Sequence, residues 1–153
     1  MSSPAPRLES TLREELVQAC NVLYAVKAAG DGLGGHLSAR LDENRILIKP
    51  RPVSWRGLKP EDLIVIDFNG KVVAGAAGER SAVREWPIHA RTYAARPDVR
   101  CVLHAHPHAS TLMAALGIAV EPVDQLQEDP LPGDGVDVVT HRADNLLVLN
   151  PPD

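Results

Sequence analysis

Glu85-Trp86-Pro87-Ile88-His89-Ala90-Arg91-Thr92-Tyr93-Ala94-Ala95-Arg96-Pro97-Asp98-Val99-Arg100-Cys101-Val102-Leu103-His104-Ala105-His106-Pro107 is the stretch that organises the rest of the chain. Trp86, Ala90, Tyr93 and Ala94 recur as an apolar stripe at helical spacing, so residues 84–95 read as a helix. Pro87 fits that helix only in its first turn, where a missing N–H breaks no hydrogen bond. Arg96-Pro97-Asp98 ends the helix, Val99 to Ala105 reads as an apolar strand, and Pro107 stops it. With so short a connection, the helix packs close to the strand. Residues i and i+2 of a strand face the same side, so His104 and His106 can reach one ion together at the strand's open end. Neutral imidazole suits Zn, Fe, Co or Ni. A His-x-His pair alone is a weak signal, met also among surface and packing histidines. His108 reads as the start of the next helix rather than as a ligand. Glu85, in the first turn of its helix, is either a solvated charge favoured by the helix dipole or, if close to a metal, a general acid/base. His89, one turn further on, holds Glu85, lines the site or is a packing histidine.

Upstream, Thr11 and Glu14 read as a capping box ahead of Leu12, Leu16, Cys20, Leu23 and Val26 at helical spacing. A helix over 11–29 follows, with Gly30 as its stop and residues 1–10 as a flexible Pro- and Ser-rich lead. A glycine-rich loop, 31–35, enters a strand over 36–41. Asp42-Glu43-Asn44 turns it into a second strand over 45–49. Residues 50–57 read as an irregular loop and 63–67 as an apolar strand. Asn69-Gly70 is a strong hairpin signal, returning the chain through Lys71-Val72-Val73. Downstream, 109–116 reads as a short helix, 117–137 mostly as loop, and 146–149 as a last strand. Hairpins flanked by helices make a layered α/β domain over 11–153.

Composition narrows the function classes. The chain has 153 residues, enough for one domain with a real core, and aromatics are only 3%, so that core is aliphatic. A net charge of -4 gives no reason to expect nucleic acid or an anionic membrane as partner. No apolar run approaches the roughly 20 residues of a spanning helix, and the first residues do not resemble a signal peptide. Two cysteines, Cys20 and Cys101, make no disulfide framework and read as buried small hydrophobes. A soluble, cytoplasmic protein is expected.

The stretch from Glu85 to Pro107 resembles the core segment of the class II aldolase/adducin family. Gly35-His36-Leu37-Ser38-Ala39-Arg40 resembles that family's Gly-Asn-hydrophobic-Ser-x-Arg segment, and Leu47-Ile48-Lys49-Pro50 and Leu58 to Asp67 follow in family order. The resemblance spans roughly residues 10–150. It implies a three-layer α/β/α class II aldolase-like fold around a largely antiparallel sheet, assembled as a homotetramer with active sites between subunits. It implies His104 and His106 as metal ligands and Glu85 as catalytic acid/base. The cofactor would be a divalent metal, zinc first, with manganese, iron or cobalt as alternatives. Such an ion chelates adjacent oxygens of a small-molecule substrate and stabilises the enediolate left by C–C cleavage.

Two departures from the family pattern sharpen these expectations. The family's third histidine follows a later strand in a His-Gly turn, and this chain reaches Asp153 without one. The implied fold is therefore incomplete at the C-terminus, an N-terminal two-thirds, with His141 as the sole downstream histidine. The family's phosphate cup is also altered: its residue pairs correspond to Gly35-His36, approximately Arg51-Pro52, and Val83-Arg84. Gly35, His36, Ser38 and Arg84 are the candidate substrate-binding residues. Arginine pairs carboxylate or phosphate through parallel N–H donors, so a carboxylate-bearing substrate becomes attractive if Arg51 and Arg84 face the site rather than solvent. The expected activity is a metal-dependent carbon–carbon lyase. A hydroxy-acid decarboxylase, a non-catalytic adducin-like oligomerisation module and an inactive fragment are the alternatives.

Overall fold

The structure is a computed structural model that describes residues 4–29, 34–75, 80–117, 136–140 and 145–149. Its elements in chain order are α1 (Pro4–Ala25), β1 (His36–Arg40), β2 (Arg45–Ile48), a 3₁₀ turn (Pro60–Asp62), β3 (Ile64–Asp67), β4 (Val72–Gly75), α2 (Trp86–Ala95), β5 (Cys101–Ala105), α3 (His108–Ala115), β6 (Val136–Thr140) and β7 (Asn145–Leu149). The seven strands form one sheet in the order β4-β3-β2-β1-β5-β7-β6. Every pairing in it is antiparallel.

Period-2 alternation sorts the side chains onto two faces. Leu37, Ala39, Leu47, Leu63, Val65, Leu103 and Ala105 pack on one face with Leu16, Val17 and Cys20 of α1. Ile46, Ile48, Ile64, Ile66 and Val102 pack on the other with Ala90 and Tyr93 of α2. Helix, sheet and helix are thus three layers, as expected. Strands β4 to β1 are sequence neighbours, and the chain then carries α2 across one face to set β5 beside β1, in the middle of the sheet.

Local differences from the sequence reading have local causes. Helix α1 begins at Pro4, inside the stretch marked as a flexible lead. Pro4 and Pro6 lie in its first turn, where no N–H is needed. Arg13 ties its N-terminal half down, pairing with Glu9 at 2.8 Å and donating to the carbonyls of Pro60 and Leu63. The helix stops at Lys27 rather than Gly30: Lys27 takes a φ of 60°, Lys27 N–H donates to Tyr24 O and Ala28 N–H to Leu23 O. That bond pair is a Schellman cap with lysine in the position glycine usually fills. Val26 consequently lies outside the helix and is exposed. Strand β6 occupies part of what read as loop, paired along its whole length with β7. His108 starts α3, as read. Among the described residues no helix is long and apolar enough to cross a membrane.

Candidate active site

Antiparallel pairing brings the start of β1, the end of β2 and the end of β5 to one edge of the sheet. His36 lies directly opposite His104 in the β1–β5 register, and their rings stack with centroids 4.9 Å apart. His106 follows β5, and its ring stands edge-on to His104. The Nε2 atoms of His104 and His106 are 3.0 Å apart. Helix α2 starts at this edge, with Pro87 in its first turn and Glu85 at its N-cap. The Glu85 carboxylate, half exposed, reaches His36 Nε2 at 3.3 Å.

These groups enclose a cavity of about 360 Å³ lined by Gly35, His36, Glu85, His104 and His106, together with Lys49 and Arg51. Gly35 is required where it sits. At its φ of 76°, a Cβ would stand 2.6 Å from the carbonyl oxygen of His104, so only a bare backbone lets β1 begin against β5.

Burial dominates the site's electrostatics. It lowers His36 to about 4, assisted by the charge of His104 and opposed by Glu85. Burial likewise holds His89 well below the usual imidazole range. Partial burial pulls the Glu85 carboxyl upward. A hydrogen bond from its own backbone N–H, with the charge and hydrogen bond of His36, outweighs that and keeps it below its ordinary value. Lys49 is 1% exposed, and burial pulls its ammonium down. Its Nζ lies 5.4 Å from the Trp55 ring centroid, a cation–π contact. No ion pair to Lys49 occurs among the described residues.

The residues singled out from sequence therefore divide. Glu85, Gly35, His36, His104 and His106 converge on one cavity. Ser38 is fully buried beneath it, bonded to His89 and Tyr93. Arg84 is exposed and does not line the cavity. Lys49 lines it and was not singled out. Its signal was a lone lysine closing the apolar run Leu47-Ile48, which is also what a strand-end surface lysine looks like. His141 lies outside the described residues.

Two imidazole nitrogens bound tetrahedrally to one zinc at about 2.0–2.1 Å each come about 3.3 Å apart, so the His104–His106 pair, at 3.0 Å, is within a few tenths of an ångström of two positions around one ion. Among the described residues no third His, Cys, Asp or Glu joins them in a group placed to hold it. Such a pair would make two of the three protein ligands usual at a catalytic zinc.

A family model for the Class II Aldolase and Adducin N-terminal domain matches residues 14–148. The chain is 33% identical to a 3,4-dihydroxyphthalate decarboxylase of Arthrobacter keyseri, over 78% of its own length and 50% of the relative's. It is also 33% identical to a 5-methylthioribulose-1-phosphate/5-deoxyribulose-1-phosphate aldolase of Rhodospirillum rubrum, over 73% of its length and 48% of the relative's. An L-fuculose 1-phosphate aldolase structure from Glaciozyma antarctica superposes with a TM-score of 0.68 at 26% identity, covering 78% of this chain and 49% of that one. The chain thus spans about half the length of the curated relatives it matches.

Proposed function

The chain belongs to the class II aldolase/adducin family, and from that premise we propose that it carries the active site of a divalent-metal-dependent carbon–carbon lyase acting on a small hydroxylated carbonyl or carboxylate compound. One observation carries the reading: the Nε2 atoms of His104 and His106 lie 3.0 Å apart on the wall of a cavity that Glu85 also lines. His104 and His106 would hold the ion, with zinc first among the candidates. When bound, the ion supplies Lewis acidity toward substrate oxygens.

The chain's own residues supply the rest. Glu85 is ionised and half exposed to the cavity, so its carboxylate can take a proton from the substrate or return one to the carbon left after cleavage. His36 fixes that carboxylate from one side. Lys49 and Arg51 add two cationic side chains to the cavity lining. A buried ammonium without a carboxylate partner favours an anionic substrate group, which would regain for it the interactions lost on burial. Arg51 offers the forked donors that suit a carboxylate or phosphate. Homo-oligomeric assembly belongs to the same reading.

Those two cations favour a second reading within the first, a carboxy-lyase. The likeness to 3,4-dihydroxyphthalate decarboxylases supports it, and the likeness to sugar-phosphate aldolases supports aldol cleavage. The test is metal content and turnover against a panel of sugar phosphates, hydroxy acids and dihydroxybenzoates, using this chain and, beside it, any longer product of the same gene. Tightly bound divalent metal, lost in His104→Ala and His106→Ala, and turnover of one substrate class are expected. If both proteins are metal-free and inert, the proposal fails.

A further inference from the structure

Strand β1 turns a polar stripe, His36, Ser38 and Arg40, toward α2, although the same face of β2 and β3 is all isoleucine. Arg40 serves the helix end, donating to the carbonyls of Tyr93, Arg96 and Val99. The other two belong to an unbroken hydrogen-bonded chain. Glu85 Oε2 meets His36 Nε2 at 3.3 Å, and His36 Nδ1 meets His89 Nε2 at 2.6 Å. His89 Nδ1 meets Ser38 Oγ at 2.6 Å, and Ser38 Oγ meets Tyr93 OH at 2.8 Å.

Donor accounting gives this chain one direction. An ionised carboxylate only accepts, so His36 must donate from Nε2. A neutral imidazole carries one N–H, so His36 Nδ1 accepts, and His89 must donate to it from Nε2. His89 Nδ1 then accepts the Ser38 hydroxyl proton, and Ser38 Oγ accepts from the Tyr93 phenol. The hydroxyl's alternative acceptor, Val102 O, is 3.5 Å away and loses to the 2.6 Å bond. Burial keeps His89 neutral and the Tyr93 phenol protonated, in agreement with that assignment. Every member is then satisfied.

Four buried polar side chains are not needed to dock α2. Burying polar groups costs free energy that hydrogen bonding at best offsets, and an aliphatic stripe would match the isoleucines beside it. What the polar stripe adds is orientation, delivered to the one carboxylate that lines the cavity among the described residues. We propose that His36, His89, Ser38 and Tyr93 form a one-way positioning relay that locks His36 in the tautomer presenting Nε2–H to Glu85 and thereby aims the carboxylate into the cavity. The proposal rests on Glu85 being the acid/base group. His89, Ser38 and Tyr93 are positioning residues, since they act through His36.

Two-bond ¹H–¹⁵N imidazole spectra of the full chain, recorded near neutral pH with chelator and assigned with His36→Asn and His89→Gln, report each tautomer without any activity. His36 and His89 are both expected as neutral Nε2–H forms. In Ser38→Ala, His89 Nδ1 loses its donor and the His36 signals should move to a mixture of tautomers. Ser38→Thr, which keeps the hydroxyl, should restore the original pattern. In the metal-loaded protein Ser38→Ala should lower kcat about 10–100-fold with KM little changed, the usual cost of losing an outer partner. An Nδ1–H tautomer at His36 in the unaltered chain overturns the relay whether or not the variants fold. So does a folded Ser38→Ala protein with unchanged His36 signals, or one with unchanged kcat. The expected tautomers in a chain without lyase activity support the relay's direction and overturn the reading of Glu85 instead.

Discussion

Replacing Gly35 by Ala tests the step on which the whole site depends, the close approach of β1 to β5. Two costs follow from the structure. The φ of 76° at Gly35 lies in the left-handed region, which costs an L-residue about 1–2 kcal/mol. The new Cβ would also stand 2.6 Å from His104 O and 3.1 Å from Ala105 Cα. Both are backbone atoms of a paired strand and cannot rotate away, so overpacking adds about 1–3 kcal/mol. Gly57 separates the two costs, because its φ is 73° and a Cβ there would meet nothing within 4 Å. Gly57→Ala should therefore lose only the backbone part, about 1–2 kcal/mol. Urea unfolding followed by fluorescence, with Trp55 fully buried as the reporter, should show Gly35→Ala less stable than Gly57→Ala by about 1–3 kcal/mol. His36 follows Gly35 directly, so the same variant should also weaken metal retention by His104 and His106, while Gly57→Ala should not. Equal unfolding midpoints for the two variants would refute the claim that steric contact with β5, rather than backbone conformation alone, demands glycine.

Acid should destabilise the metal-free chain through its buried histidines. His36 falls from 6.5 to about 4 on folding, so between those values the unfolded chain binds more protons than the folded one. Stability is complete above pH 6.5 and declines as pH drops toward 4, by on the order of 3 kcal/mol for this group; His89 adds in the same direction. Urea midpoints measured across that window in chelator should fall, and less steeply in His36→Asn; an identical slope in the variant would count against this account. Glu85→Gln keeps the shape of the side chain but removes its basicity, so metal content should persist while kcat falls about 10²–10⁴-fold. Burial pushes the thiols of Cys20 and Cys101 up to about 12, so neither should react with a disulfide reagent at pH 8 until the chain is unfolded in denaturant. Rapid titration of one thiol in the native protein would show that site to be open.

Much of this protein is legible in its sequence because the relevant physics is local. Alternation in Leu37–Arg40, Arg45–Ile48 and Leu63–Asp67 names two faces, and the helical stripe through Trp86, Ala90 and Tyr93 names the helix that covers one of them. His104 and His106 share a face because a strand repeats every two residues. A proline in the first turn places the N-cap, and with it Glu85.

What the sequence could not decide is which distant residues meet. The register that sets His36 against His104 is fixed by packing across the whole sheet, and no local pattern announces it. The fold also leaves Arg84 exposed and off the cavity, buries Lys49 at its lining and sinks Ser38, so the cations that line the cavity are Lys49 and Arg51 rather than Arg84. The extent of α1 is also a tertiary matter, since Arg13 reaches across to the 3₁₀ turn to hold the helix's N-terminal half. On sequence grounds His89 stood between holding Glu85 or lining the site and packing in the core; the fold packs it in the core, off the cavity lining, and bonds it to His36 rather than to Glu85. Side-chain chemistry and spacing determine what each residue is able to do; only strand pairing and helix docking decide whether it has a partner with which to do it.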